Sequence, residues 1–392
     1  MYTLQQLLKQ MPHWRTVVPQ GAHKVISLIE RCHTADLGYH QYRCNDTFCS
    51  HVHYQYHSCR NRHCPQCGSA RTHRWMEERL SELLPVKYFH VVFTLPHELK
   101  HIAYINRREV FKLLFDASSH CLLTLCNDEK RLGAKPSVTS VLHTWGQQLA
   151  FHPHVHCVVS AGGCDDNNHW KPLKKGFGNY LFPYKVMEKL FKGYFLHHLN
   201  KLVAQGLVKL PGSTNWKKVK NDLYEKEWII HAKQPFGGPA QIVEYLGRYT
   251  QKVAISNHRI KNIDSENRVT FSYKDYADNA KNKVMTLSGE EFLRRFAQHI
   301  LPKNFVRIRH YGILGNNKRK QRVSVILQKM NLPQHPAPVN TPLAIQLLSM
   351  HGRDILVCPK CKKARMTLVA VCYPPVRAGP DATHWKQKKN RV

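Results

Sequence analysis

The sequence predicts an α+β protein with a mainly antiparallel sheet, preceded by a cysteine-rich metal module. Three observations lead there. Short runs rich in Val and Phe alternate with longer stretches whose apolar residues recur at helical spacing. Several strand-like runs stand next to one another as hairpin-like pairs, which favours antiparallel pairing. Five cysteines crowd residues 44–67, at spacings suited to a tetrahedral metal.

Taken in order, residues 1 to 40 read as helical, from "LQQLLKQ" and "VISLIERC". The cysteine cluster follows, and then a helix, "ARTHRWMEERLSELLP", stopped by Pro85. "YFHVVFTLP" (residues 88–96) is short, apolar and β-branched enough for a buried strand. "INRREVFKLLFDASSHCLLTLCND" is a long helix, and "KPSVTSVLHTW" and "FHPHVHCVVSAGG" are two strands, the second running into a glycine turn. "VMEKLFKGYFLHHLNKLVAQG" is a second long helix with Gly206 as its C-terminal cap. "EWIIHAKQPF" and "RVTFSYKDY" read as strands, "PAQIVEYLGRYTQKVAIS" as a helix that becomes extended, and "GEEFLRRFAQHI" as a helix ending before Pro302. Beyond about residue 315 the chain turns basic ("GNNKRKQR") and Pro-rich ("LPQHPAPVNTPL"), and its last residues, "HWKQKKNRV", read as a disordered tail.

The 59 Lys and Arg against 26 Asp and Glu leave a charge of +33. Such a surplus suits a polyanion, because each neutralised phosphate releases counterions; nucleic acid is the expected partner. No stretch approaches the roughly 20 apolar residues of a membrane-spanning helix. Nor does "MYTLQQLLKQMPHW" have the core of a signal peptide, so the expected location is the cytoplasm, with no membrane partner. Thiols there stay reduced, and clustered ones read as metal ligands.

In "YRCNDTFCSHVHYQYHSCRNRHCPQCG" the pairs suited to a structural Zn2+ are Cys44 with Cys49 and Cys64 with Cys67. Cys59 is an alternative to any of the four, and His51, His53 and His63 are weaker ones. Arg60 and Arg62, in "RNRH", would form a basic loop able to touch DNA phosphates. Cys358 and Cys361 make a further CxxC, but only Cys372 follows, so no second pair is evident there.

"FHPHVHC" sets His152, His154 and His156 at alternate positions, hence on one face of an extended strand. With 27 histidines in 392 residues, an H-x-H pair alone carries little, and ordinary surface histidines compete with a metal site. Ninety residues on, Tyr245 and Tyr249 stand four apart on one helical face, with Arg248 between them and Lys252 after.

Five motifs in this order, "SCRNRHCPQC", "VVFTLPHEL", "FHPHVHCVVSAGG", "YLGRYTQKVAIS" and "FLRRFAQHILPKNFVRIRHYGIL", closely resemble the rolling-circle transposases of insertion-sequence family ninety-one. These are HUH endonucleases of two-tyrosine type, named for two histidines flanking a hydrophobic residue. The resemblance runs from about Cys44 to Leu314. It implies an HUH-type central antiparallel sheet flanked by helices, with an N-terminal zinc module. It implies Mg2+ or Mn2+ on His154 and His156, with His152 as a third ligand; a Gln, Asp or Glu elsewhere, Gln251 for example, is the alternative. It implies Tyr245 and Tyr249 as nucleophiles that nick and rejoin single-stranded DNA at element ends through a 5′-phosphotyrosine link. Arg248 and Lys252 would assist them or contact phosphate, and Arg307, Arg309 and His310 of "RIRHYG" would lie near DNA. Residues 1–80 would then form the helical N-terminus and zinc module, 81–315 the nuclease and transposase domain, and 316–392 a basic tail with a CxxC. The rival readings are a non-catalytic zinc-containing DNA-binding protein and a related HUH replication initiator or relaxase.

Overall fold

The computed structural model describes residues 1–392 apart from 68–74, 77, 174–180, 213, 237–240, 243–246, 248–253, 316–317, 336–344, 346–347, 349–351, 353 and 375–392. Helices α1 (Leu4–Gln10), α2 (Trp14–Val17) and α3 (Gln20–Glu30) open the chain. Thr3 starts α1 through a capping box: its side chain accepts from the Gln6 N–H, and the Gln6 side chain returns to the Thr3 N–H. Strands β1 (Tyr39–Cys44) and β2 (Val52–Tyr56) form a hairpin where only clustered cysteines were expected.

The central sheet begins with β3 (Tyr88–Thr94). Helices α4 (Lys100–Ile105) and α5 (Arg107–Asn127) follow, then β4 (Lys135–Trp145), β5 (Phe151–Cys164) and the short β6 (Trp170–Pro172). Helices α6 (Tyr184–Ala204) and α7 (Trp216–Glu225) lead to β7 (Ile230–Phe236). Strands β8 (Ile260–Ile263), β9 (Val269–Asp275) and β10 (Lys281–Leu287) make a separate antiparallel sheet, followed by α8 (Gly289–Gln298). Strand β11 (Ile308–Gly312), helix α9 (Arg319–Lys329) and strand β12 (Met366–Cys372) complete the described elements.

The strand order of the central sheet is β11-β4-β5-β3-β7, every pairing antiparallel, with β6 hydrogen-bonded to the end of β5. Side chains alternate across it with period two. Phe89, Val91, Phe93, Val155, Cys157 and Val159 share a core with Phe111, Phe115, Phe191 and Phe195 of α5 and α6. Burying each such aromatic contributes about 2–3 kcal/mol. On the other face Tyr88, Val141 and Val158 pack with Leu83 and Ile242. Both faces of the central strands are therefore covered, which is why their sequences are nearly continuous apolar runs. The strand read as ending in a glycine turn instead continues through Gly162 to Cys164. Gly162 has φ +147 and Gly163 lies against the Lys135 carbonyl, where a Cβ would stand 2.6 Å away. Glycine here permits a bend and a close strand approach rather than a reversal.

The N-terminal helices join a second core. Leu7, Trp14, Ile26 and Ile29 meet Phe271 of β9 and Phe292 and Phe296 of α8. Strand β12 pairs antiparallel with β1, giving a third sheet of order β12-β1-β2. Part of the segment expected as a tail thus folds back onto the cysteine-rich module. No helix among the described residues is long and apolar enough to cross a membrane.

Candidate metal and catalytic centre

The register of β4 against β5 sets His143 opposite His154 and Val141 opposite His156. His143, His154 and His156 therefore project from the same sheet face. Their ring centroids are 5.5 Å (143–154), 4.5 Å (143–156) and 4.8 Å (154–156) apart. One ring nitrogen from each lies within 4.8 Å of the others. His154 Nδ1 is 2.6 Å from the His152 carbonyl, to which it donates; Nε2 is then its lone-pair nitrogen. His156 Nδ1 is 2.9 Å from His90 Nε2 of β3, and the two rings stack 6° from parallel. Burial pulls His154 down to about 4, so its imidazole is neutral near pH 7. Three imidazoles so close together, two of them held by outer hydrogen bonds, are a donor set that fits a divalent metal.

His152, expected as a third ligand, stands outside this group. Its ring is 5.3 Å from that of His154, but its contribution is the backbone carbonyl. A register shift between His143 and Trp145 interrupts the ladder beside His152. His143, from the neighbouring strand, completes the group of three. It is buried and stacked on Trp145 at 4.7 Å.

Tyr245, Tyr249, Arg248, Gln251 and Lys252 lie outside the described residues. Two described residues bracket the first tyrosine in the chain. Ile242 is fully buried against Val141 and Val158, on the histidine face of the sheet, and Gly247 packs on Met76.

The described arginines expected at or near DNA have partners within the fold. Arg62 Nη1 donates to the Phe305 carbonyl at 2.7 Å. Arg307 is buried with its guanidinium over the Trp145 ring, 5.7 Å from the centroid, and burial lowers it to about 10. Arg309 lies 4.4 Å over Phe115 and 3.6 Å from an Asp116 oxygen. Arg307 and Arg309 thus lie against aromatic rings, and Arg62 bonds a backbone carbonyl. His310 is likewise held, by Thr139 Oγ1 at 3.0 Å and Arg79 Nη1 at 3.2 Å. Arg60, in the left-handed region at φ +52, is exposed.

The five cysteines expected around one ion divide between two groups. Cys59, Cys64 and Cys67 join Cys32, and Cys44 and Cys49 join Cys358 and Cys361, each set with sulfurs within 4.8 Å of one another. In the first, Cys67 Sγ is 3.3 Å from Cys32 Sγ and 3.6 Å from Cys59 Sγ, and the Cys59 N–H donates to Cys32 Sγ. The neighbouring Cys32 and Cys59 thiols drive Cys64 well above the ordinary thiol range, while Cys32 and Cys59 drive Cys67 well below it. Four thiolates cannot share such a space without a cation, and a divalent ion removes the conflict. The pairing of Cys44 and Cys49 with Cys64 and Cys67 is therefore corrected: the β1–β2 hairpin carries the first pair away from the second. His51, His53 and His63 belong to neither group. Cys32 has no close cysteine partner in sequence, so spacing gave no sign of it.

An antiparallel sheet bearing a cluster of three histidines, with a thiol-rich module before it, sets candidate metal centres both on the sheet and in the module. Residues 137–322 match the family described as "Putative transposase", and residues 3–95 match "Transposase zinc-binding domain". "Putative transposase y4qJ" of Sinorhizobium fredii (strain NBRC 101917 / NGR234) is 40% identical over 368 residues, 91% of each chain. "Transposase for insertion sequence element IS801" of Pseudomonas savastanoi pv. phaseolicola is 30% identical over 340 residues, 83% of this chain and 79% of that one. This chain belongs to the rolling-circle transposases of insertion-sequence family ninety-one, and its N-terminal module is a zinc-binding domain. Among solved structures, the conjugative relaxase TrwC in complex with oriT DNA is similar at 9% identity, covering 63% of this chain and 73% of that one, with a TM-score of 0.22. A score so low leaves the fold to be judged on this chain's own strands.

Proposed function

We propose that this transposase nicks and rejoins single-stranded DNA at element ends, with Tyr245 or Tyr249 as nucleophile and His143, His154 and His156 as the ligands of a divalent metal. The observation that carries the reading is the three-imidazole cluster on the sheet face against which Ile242, three residues before Tyr245, is buried. Bound there, Mg2+ or Mn2+ would supply Lewis-acid polarisation of the scissile phosphate. The protein's own groups do the rest. His90 and the His152 carbonyl fix the ring orientations of His156 and His154. The tyrosine oxygen attacks phosphorus, a P–O tyrosyl bond forms, and the bond to the 3′-oxygen breaks, leaving a 3′-hydroxyl. The 5′-phosphotyrosine retains the phosphodiester's free energy, so a later 3′-hydroxyl attacks it and restores the tyrosine without ATP. A second tyrosine at i+4 would accept the second strand. The net charge of +33 favours the DNA substrate by counterion release.

Incubating the full chain with a 5′-extended single-stranded end oligonucleotide and Mn2+ should give a covalent adduct. Mass spectrometry should locate it on Tyr245 or Tyr249. The double variant Tyr245→Phe, Tyr249→Phe should lose the adduct; undiminished adduct from that variant would overturn the assignment.

A further inference from the structure

The second group of cysteines is built from two segments far apart in the chain. Cys44 Sγ lies 3.7 Å from Cys361 Sγ, its partner 317 residues on, and Cys49 Sγ lies 3.8 Å from Cys358 Sγ. For four sulfurs at a zinc–sulfur distance of about 2.3 Å, the edge of the tetrahedron is about 3.8 Å. The two separations match that edge.

The surroundings have the form of a paired knuckle. The Cys49 N–H donates to the Asp46 carbonyl, closing a turn that carries Cys44 and Cys49. On the other side the Cys358 N–H donates to the Ala364 carbonyl and the Lys362 N–H to the Cys358 carbonyl, with Lys362 in the left-handed region at φ +57. Backbone N–H groups of Lys363 and Ala364 donate to Cys361 Sγ, an outer shell suited to a thiolate ligand. Cys44, Cys49 and Cys358 are buried. Four thiolates around a dication carry a charge of about −2 by the count of ligand charges. Lys360, Lys362, Lys363 and Arg365, all exposed around the second knuckle, balance it.

Apolar burial here is thin. Apart from the cysteines the local core has one buried side chain, Met366, with Tyr42 and Ala364 packed against it. A cluster that small does not hold a strand in place unaided, and metal-binding free energy characteristically makes up the deficit in small modules. The strand concerned is β12, whose register with β1 runs from Tyr39 opposite Cys372 to Cys44 opposite Met366.

We propose that Cys44, Cys49, Cys358 and Cys361 hold a second zinc ion, and that this ion clasps the C-terminal segment onto the N-terminal sheet. Cys358 and Cys361 lie beyond residues 3–95, which match the zinc-binding family. The zinc module is then assembled from both ends of the described chain, with the histidine-bearing sheet inserted between its halves. The clasp is independent of the nicking chemistry, and its test requires no DNA.

The test is metal analysis of the full-length purified chain, expressed in zinc-supplemented medium. The wild type should contain two sulfur-bound zinc ions and give an X-ray absorption spectrum whose zinc–sulfur shell is fitted by four sulfurs at about 2.3 Å, counted in a His143→Gln, His154→Gln, His156→Gln background that leaves the imidazole cluster unable to take zinc. The variant Cys358→Ser, Cys361→Ser should contain one. Cys372→Ser, a cysteine of the same strand outside the group, should contain two and serves as the control for misfolding of β12. Limited proteolysis between α9 and Cys358 should leave the C-terminal fragment attached to the wild type until a chelator is added. One zinc per wild-type chain, two in the double variant, iron in place of zinc, or a fragment that leaves without chelator would each overturn the proposal.

Discussion

Replacing His143 by Gln discriminates between the two ways of completing the histidine site. His143 is buried, stacked on Trp145, and stands directly opposite His154. Gln roughly preserves its volume, so packing loss stays small compared with loss of a ligand. Removing an outer-sphere partner alone costs 10–100-fold in metal affinity, and loss of one of three ligands should cost at least the upper figure. That is about 2.8 kcal/mol at about 1.4 kcal/mol per tenfold. His152→Gln removes a side chain outside the cluster while leaving the carbonyl that receives the His154 N–H, so its affinity should change by about threefold or less. Mn2+ titration of the metal-free full chain, followed by electron paramagnetic resonance of the unbound ion, measures both. Thermal unfolding checks that each variant is folded. Unchanged affinity in His143→Gln together with a large loss in His152→Gln would refute the three-imidazole geometry.

His90→Phe keeps the ring stack on His156 but removes the nitrogen that sets its tautomer; Mn2+ affinity should fall by about 10–100-fold with little change in melting temperature. Acid should destabilise the fold through His63 and His299, which burial lowers to about 3 and about 4 from an ordinary 6.5. Because the folded pKa is the lower one, their stabilising contribution is intact above 6.5 and is lost as pH falls toward 4 and 3. By pH 5 each should have cost about 2 kcal/mol, so denaturant midpoints should drop between pH 7 and 5, and a flat profile would contradict the buried neutral state.

The central sheet was legible because both its faces are covered. Tyr88–Thr94, Lys135–Trp145 and the long helix Arg107–Asn127 announce themselves by uninterrupted or periodic apolar content. The β1–β2 hairpin was not legible: Tyr39–Cys44 and Val52–Tyr56 are mostly half-buried or exposed, without a clear apolar side. His154 and His156 were visible as a local pattern. His143 was not, since only the β4–β5 register brings it opposite His154. The same holds for Cys32 and for the meeting of Cys44 and Cys49 with Cys358 and Cys361, which are long-range contacts that spacing does not encode. Arg307 and Arg309 show the converse limit. Their charge suggested a surface role, but the aromatic rings of Trp145 and Phe115 accommodate guanidinium groups inside the fold.

The pairing of β12 with β1 also bears on how the chain is made. At about 5–20 residues per second, a ribosome needs roughly 15–60 s to travel from β1 to β12. Throughout that interval the outer edge of β1 has no strand beside it. A nascent hairpin with Tyr39, Tyr54 and Tyr56 clustered on one surface and an open backbone edge is a ready template for pairing with another chain. Crowded polysomes carrying this message should therefore favour misassembly between neighbouring nascent chains, and slow translation of residues 45–365 should worsen it.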